Sequence, residues 1–400
     1  MAASPAKKRI LVGQSGGPTA AINSSLAGVV AGAREAGAEI VGMRYGIQGY
    51  LAGRTVALGE ALPDDDALAL LRRTPSSWLG SCRFKLPALD APEAEGFFAD
   101  AFAKLEADGF DAMLYIGGND SMDTIAKLGA WGARMGSPIR FIGVPKTIDD
   151  DLVGIDHTPG YGSAARFVAT AVSEVARDAD VYDLKSVTFV EIMGRDAGWL
   201  AGSACLAGPD LVLLPEVTLD EDALIERISV LLEHQNTVVV AMSEGVRGAD
   251  GHLIAEKTVA AGTGVDEFGH LAQLSGPSRY LAGVAKARLG VKTRAVELST
   301  LQRCASHCAS EVDLDEAFEL GRRGVSAALA GESVRMCTLT RTGDEPYAAE
   351  YGTVDVLEVA NKVKPVPREW ICADGMGVTD DFRRYVAPLA GTLPQQLKGL

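Results

Sequence analysis

Four short stretches of the sequence carry residues whose types and spacing suit phosphoryl transfer. In GQSGGPTAAIN, Gly16 and Gly17 permit a tight turn and Thr19 can help start the next helix. Backbone amides at such a helix start can hold an anion, although a plain strand-to-helix turn has the same look. In YIGGNDSMDT, Gly117 and Gly118 let the backbone approach a ligand, and Asn119 and Asp120 offer oxygens suited to magnesium; Asp120 could equally cap the helix that follows. In GVPKTIDDDL, the carboxylates of Asp149, Asp150 and Asp151 repel one another, which asks for a metal or a proton-transfer task unless the loop is a solvated acidic turn. Lys146 adds a cation there. In EIMGRDAGWLA, Arg195 has the planar fork that grips phosphate, or else pairs with Asp196 or Glu191. Together these loops supply a metal perch, an aspartate to accept a hydroxyl proton and cations to hold charge. No Walker, His-Glu-x-x-His or Gly-x-Ser-x-Gly pattern competes with them.

Each of these loops follows an apolar run, and the runs alternate with segments of helical period. RILVG precedes a helix at 20–35, DAMLYIGG follows one at 92–108 and precedes 121–135, SVTFVEIMG follows 162–178, and DLVLLPE precedes 220–234. Short apolar strands alternating with helices imply an α/β fold with mainly parallel sheets and helices on both faces. In such sheets the ligand crevice lies beyond the carboxyl ends of the strands, where all four loops would stand. A lobe boundary near 150 is expected, with VKTRAVELSTLQR (291–303) returning towards the crevice. Beyond about 335 the chain reads as strands and loops, and NKVKPVPREW carries too much proline for a regular element.

Composition narrows the partners. The 400 residues are 47% hydrophobic with a net charge of −15, enough for two or three lobes and against nucleic acid as the main ligand. No apolar run reaches the roughly 18 residues of a membrane span, and MAASPAKKRI leads straight into a strand, so a soluble cytoplasmic protein is expected. Six scattered cysteines in so long a chain read as reduced thiols. Cys304, His307 and Cys308 have no second ligand cluster of zinc-site spacing.

The motifs in this order resemble the phosphofructokinases, specifically their diphosphate-dependent branch, over roughly residues 8–310. SGGPTAAIN is similar to that family's first phosphate loop, GSCRF to its donor-arginine segment, IGGNDS to its Gly-Gly-Asp loop, PKTIDDD to its Thr-Ile-Asp-Asn-Asp catalytic loop, and IMGR to its Met-Gly-Arg. SEGV resembles the segment with a sugar-binding glutamate, and TRAVELSTLQR the strand whose arginines hold the sugar phosphate. The resemblance implies two Rossmann-like lobes with the active site in the cleft between them. The donor lobe would be 1–150, completed by about 270–310, the sugar-phosphate lobe 151–270, and a C-terminal helix and strand/loop extension 311–400.

By the same resemblance Asp149 is the base for the C1 hydroxyl of fructose 6-phosphate. Thr147 and Ile148 lie beside that hydroxyl, and Arg195 and Lys146 stabilise the transferring group. Gly16, Gly17, Arg83, Gly118 and Asp120 face the diphosphate; Met193, Gly194, Glu244, Arg294, Thr300 and Arg303 face the sugar phosphate; Asn119 and Asp151 serve Mg2+. A carboxylate at 120 occupies the place of a glycine in ATP users and collides with a nucleotide's α-phosphate. Lys146 stands where diphosphate users have lysine. Three departures stand out. Asn119 replaces the usual Asp, Asp150 the usual Asn, and Thr300 and Cys304 replace residues of the ATP users' His and Gly-Gly segment. Asp150 either raises the pKa of Asp149 or is neutralised by Lys146. The alternatives are an ATP-dependent enzyme, a preference for sedoheptulose 7-phosphate, and a catalytically silent sugar-phosphate sensor; a homodimer is the expected assembly.

Overall fold

A computed structural model describes residues 7–257 and 276–397; residues 258–270 of the expected sugar-phosphate lobe lie outside the described residues. Eleven strands are described: β1 (Arg9–Gln14), β2 (Glu39–Met43), β3 (Thr55–Ala57), β4 (Ala112–Gly117), β5 (Arg140–Pro145), β6 (Ser186–Ile192), β7 (Leu211–Leu213), β8 (Thr237–Ser243), β9 (Lys292–Glu297), β10 (Arg335–Asp344) and β11 (Tyr347–Asp355). They form two sheets, one in each of two compact units.

The first unit comprises the chain up to Thr147, Leu152–Gly160 and Glu311–Lys362. Its sheet runs β11-β10-β5-β4-β1-β2-β3, parallel except for the two edge pairs β10/β11 and β2/β3. Every residue of β4 is buried, as expected of a parallel strand covered on both faces. Helix Glu311–Leu329 belongs to this unit and not to a C-terminal extension. It lies so close to helix Ile22–Glu35 that a Cβ on Gly28 would stand 1.9 Å from the Phe318 carbonyl oxygen, a contact that only glycine permits.

The second unit comprises Ile148–Asp151, Tyr161–Ser310 and the chain from Val363. Its sheet, β7-β8-β6-β9, is parallel throughout. Val187, Phe189, Val238, Val240 and Met242 form its core with Leu224 and Ile228 of helix Glu221–His234 and Leu281 of helix Pro277–Leu289. The segment 276–310 thus completes this unit, whereas the sequence suggested the first lobe; β9 pairs along β6, and that pairing decides its place. The C-terminal helix Asp380–Ala390 docks on helix Tyr161–Ala179, where Arg166 Nη1 donates to the Ala390 carbonyl at 3.1 Å. Among the described residues no helix is long and apolar enough to cross a membrane.

Candidate active site

In the first unit the donor-side loops are tied to one another at the carboxyl ends of β1, β4 and β5. Gly16 N–H donates to the Cys82 carbonyl at 3.1 Å and Ser81 Oγ donates to the Gly16 carbonyl at 2.6 Å, which holds exposed Arg83 beside the glycine turn. Lys146, at the end of β5, is 2% exposed. Its Nζ donates to the Gly17 carbonyl and lies 3.7 Å from where a Cβ on Gly16 would be. A buried ammonium thus sits against the Gly16–Gly17 turn. Thr147 follows, fastened by its N–H to the Pro159 carbonyl at 3.1 Å and by Thr158 Oγ donating to its own carbonyl at 3.0 Å. Thr147 is thereby joined to Thr158 and Pro159 within the first unit.

The helix after β4 begins at Asn119, earlier than its sequence suggests, with Gly118 in the cap position and no side-chain cap bond. Asp120 therefore lies within the first turn and does not cap it. Its carboxylate stands 3.3 Å from Lys85 Nζ, both side chains more than half exposed. The Asn119 amide is occupied at both ends: Nδ2 donates to the Lys362 carbonyl at 2.6 Å, and Oδ1 accepts from Asn361 N–H at 2.8 Å. This tether competes with any metal contact. Thr19 does not cap its helix either; the cap position is Ala21 and the buried Thr19 hydroxyl has no partner among the described residues.

In the second unit the chain leaves β6 through Met193, Gly194 and Arg195. Gly194 has φ 122°, a conformation open to glycine. Its N–H donates to Glu244 Oε1 at 3.4 Å and its carbonyl accepts from Ser243 Oγ. Glu244 N–H in turn donates to the Ile192 carbonyl at 2.8 Å, so the turns after β6 and β8 form one piece. Burial pushes the Glu244 carboxyl up to about 7, with Gly194 N–H and Arg195 opposing. Arg195 does not take the pairings open to it in sequence: Asp196 faces Arg247 at 3.8 Å, and Glu191 accepts from Ser278 N–H and Oγ. Arg195 Nε is buried with no hydrogen-bond partner among the described residues. A buried donor left over in this way is suited to an anionic ligand.

The acidic loop begins this unit. Ile148 and Asp150 are buried, while Asp149 and Asp151 are half-buried. Burial, then the charge of Asp149, push the Asp151 carboxyl up to about 7. Asp150 has φ 53°, a left-handed conformation that a short Asn or Asp tolerates. Its side chain is fully buried, with Oδ1 3.3 Å from Lys364 Nζ and Oδ2 accepting from Tyr385 OH at 2.7 Å. The extra charge beside Asp149 thus has its cation in Lys364, in the proline-bearing segment that sequence reasoning passed over.

The sugar-side residues separate. Gln302, missed in the sequence, accepts from Met193 N–H at 3.1 Å, which brings Arg303, with a buried Nε unpartnered among the described residues, to the Met-Gly-Arg turn. Thr300 is exposed at the start of that short helix. Arg294 does not join this group. It pairs with Thr188 midway along the edge strand β9, roughly 16 Å along the strand from Met193 at the usual rise per residue, and its guanidinium meets Asp178 at 2.6 Å. Among the described residues no cluster of three or more His, Cys, Asp or Glu ligands is assembled, at Cys304–Cys308 or elsewhere.

Two mainly parallel α/β sheets carry these loops at the carboxyl ends of their strands, and the sequence pattern of the phosphofructokinases matches residues 9–326: the chain belongs to the phosphofructokinase family. It is 39% identical over 388 residues to the pyrophosphate--fructose 6-phosphate 1-phosphotransferase of Xanthomonas campestris pv. campestris, covering 95% of this chain and 91% of that one. The protein of that name from Halomonas elongata is 37% identical over 385 residues, covering 94% and 90%. The crystal structure of the pyrophosphate-dependent phosphofructokinase from Nitrosospira multiformis matches with a TM-score of 0.85 at 32% identity, covering 99% of this chain and 95% of that one.

Proposed function

We propose that the chain transfers a phosphoryl group reversibly from diphosphate to the C1 hydroxyl of fructose 6-phosphate, giving fructose 1,6-bisphosphate and phosphate. Lys146 carries this reading: its buried ammonium is held against the Gly16–Gly17 turn, where it can take charge from a small inorganic donor that offers no nucleoside to bind. Asp120, on the first turn of the next helix and not used as its cap, adds a like charge against a nucleotide's α-phosphate.

In the reaction the C1 oxygen attacks phosphorus, the bridging P–O bond of diphosphate breaks, the hydroxyl proton passes to Asp149 and phosphate leaves. Arg195 and Lys146 hold the charge on the transferred and departing groups, and Glu244 with Arg303 orients the sugar phosphate. Asp151 fits a hard divalent cation, since burial and the neighbouring charge of Asp149 disfavour its ionisation unless a cation is close by. With no larger protein ligand set among the described residues, Mg2+ there would be completed by phosphate oxygens and water, as is usual for this ion. Bound Mg2+ supplies charge neutralisation of the donor oxygens.

The test is a matrix of diphosphate or ATP against fructose 6-phosphate or sedoheptulose 7-phosphate, with Mg2+, read by phosphorylated sugar formed. Turnover is expected with diphosphate and fructose 6-phosphate. Preference for ATP, or binding of the sugar without transfer, would overturn the proposal.

A further inference from the structure

The environment of Asp150 points to a support for the acidic loop built from the C-terminal segment. Lys364 reaches the loop twice: its Nζ stands 3.3 Å from Asp150 Oδ1 and its N–H donates to the Asp151 carbonyl at 2.8 Å. Lys364 is itself held. Its carbonyl accepts from Trp199 Nε1 at 2.8 Å, its ammonium lies 4.9 Å from the centre of the Trp199 ring, and two residues on Val366 N–H donates to Glu216 Oε1 at 2.9 Å. Tyr385, which also donates to Asp150, packs against Trp199 and Trp370 with ring centroids 5.2 and 5.3 Å apart. Aromatic rings therefore fix both Lys364 and Tyr385, which hold the Asp150 carboxylate.

We propose that Lys364 is a positioning residue, matched to the aspartate at 150, whose ammonium and backbone hold the acidic loop so that Asp149 faces the C1 hydroxyl. A carboxylate with no exposed surface needs a cation and hydrogen-bond donors close by, or the backbone that carries it shifts to reach water. Asp149 is the preceding residue on that backbone, so such a shift displaces the base. An asparagine at 150 would not need the cation, which ties the demand for Lys364 to the charge of Asp150.

The inference rests on the proposed role of Asp149 and is tested by a double-mutant cycle with Lys364→Met and Asp150→Asn, alongside Lys364→Arg. With diphosphate and fructose 6-phosphate, Lys364→Met is expected to lower kcat by about 10-fold or more while each KM stays within about 3-fold, because a displaced base raises the barrier and not the cost of binding. Adding Asp150→Asn should bring kcat to within about 3-fold of the Asp150→Asn single variant, and Lys364→Arg should stay within about 3-fold of the parent. The same cycle is read by thermal denaturation, which does not depend on the reaction: Lys364→Met should melt lower, and the second substitution should restore the midpoint. If Lys364→Met cannot be recovered folded, folded and active double variant supports the pairing, and loss of that variant too overturns it. Equal losses of kcat in both backgrounds, or coupling in melting without coupling in kcat, would overturn the positioning role. An unsubstituted chain inactive with diphosphate would sink the functional reading instead, leaving the melting cycle to decide the pairing.

Discussion

Replacing Glu244 by glutamine should change how stability depends on pH, by an amount that follows from its surroundings. In the folded chain burial raises this carboxyl to about 7 from an ordinary 4.5, with Glu191 and Asp196 adding to the rise and Gly194 N–H and Arg195 opposing it. The unfolded chain ionises it near the ordinary value. Stability from this group is therefore fully present below pH 4.5, falls as pH rises towards 7, and is flat above that. The gap between the two values corresponds to a loss of about 3 kcal/mol once both states are ionised. Roughly a quarter of it has already gone at pH 5, leaving about 2 to 3 kcal/mol between pH 5 and pH 8.5. Glutamine does not titrate and retains an oxygen to accept from Gly194. Equilibrium urea denaturation of both proteins at the two pH values measures the effect, and other titrating groups cancel in the difference. Glu244→Gln should gain about 2 to 3 kcal/mol relative to the parent between pH 5 and pH 8.5; free energies that move in parallel would refute the reasoning.

Two further outcomes bear on the proposed chemistry. Asp149→Asn should lose about 10²- to 10⁴-fold in kcat with sugar binding retained, measured by steady-state turnover and by titration of the sugar phosphate. Asp120→Gly should raise kcat/KM for ATP by about 10-fold or more, since it removes both bulk and like charge from the path of an α-phosphate; an unchanged ATP rate with diphosphate activity intact places the donor filter elsewhere.

The alternation of apolar strands and periodic helices was enough to read the α/β class and most helix limits within a residue or two, as at 162–178 against Tyr161–Ala179. The loops were legible for the same reason, because each trails a strand whose direction the sheet dictates. Local reading failed where partners are remote. Nothing near Asp150 or Lys364 marks them as a pair across 214 residues, and a segment with two closely spaced prolines has no period to betray its neighbours. The likeness to sugar-binding arginines suggested a shared place for Arg294 and Arg303, whereas strand register puts Arg294 midway along β9 and the bond from Met193 to Gln302 puts the short helix of Arg303 at the turn. Asp120 was ambiguous because a helix start is defined only to a residue or two by sequence, and that margin separates a cap from a first-turn carboxylate.

The wiring of Asp150 to Lys364 and Tyr385 also constrains how the molecule is made. The two partners follow it by 214 and 235 positions, which at ordinary ribosome speeds is roughly 10 to 45 s of synthesis. Throughout that interval the Asp150 carboxylate must stay hydrated, since neither Lys364 nor Tyr385 has yet emerged to receive it. Nascent chains that have completed the first sheet are thus expected to carry an unset acidic loop, and competence for turnover arrives only with the last few dozen residues.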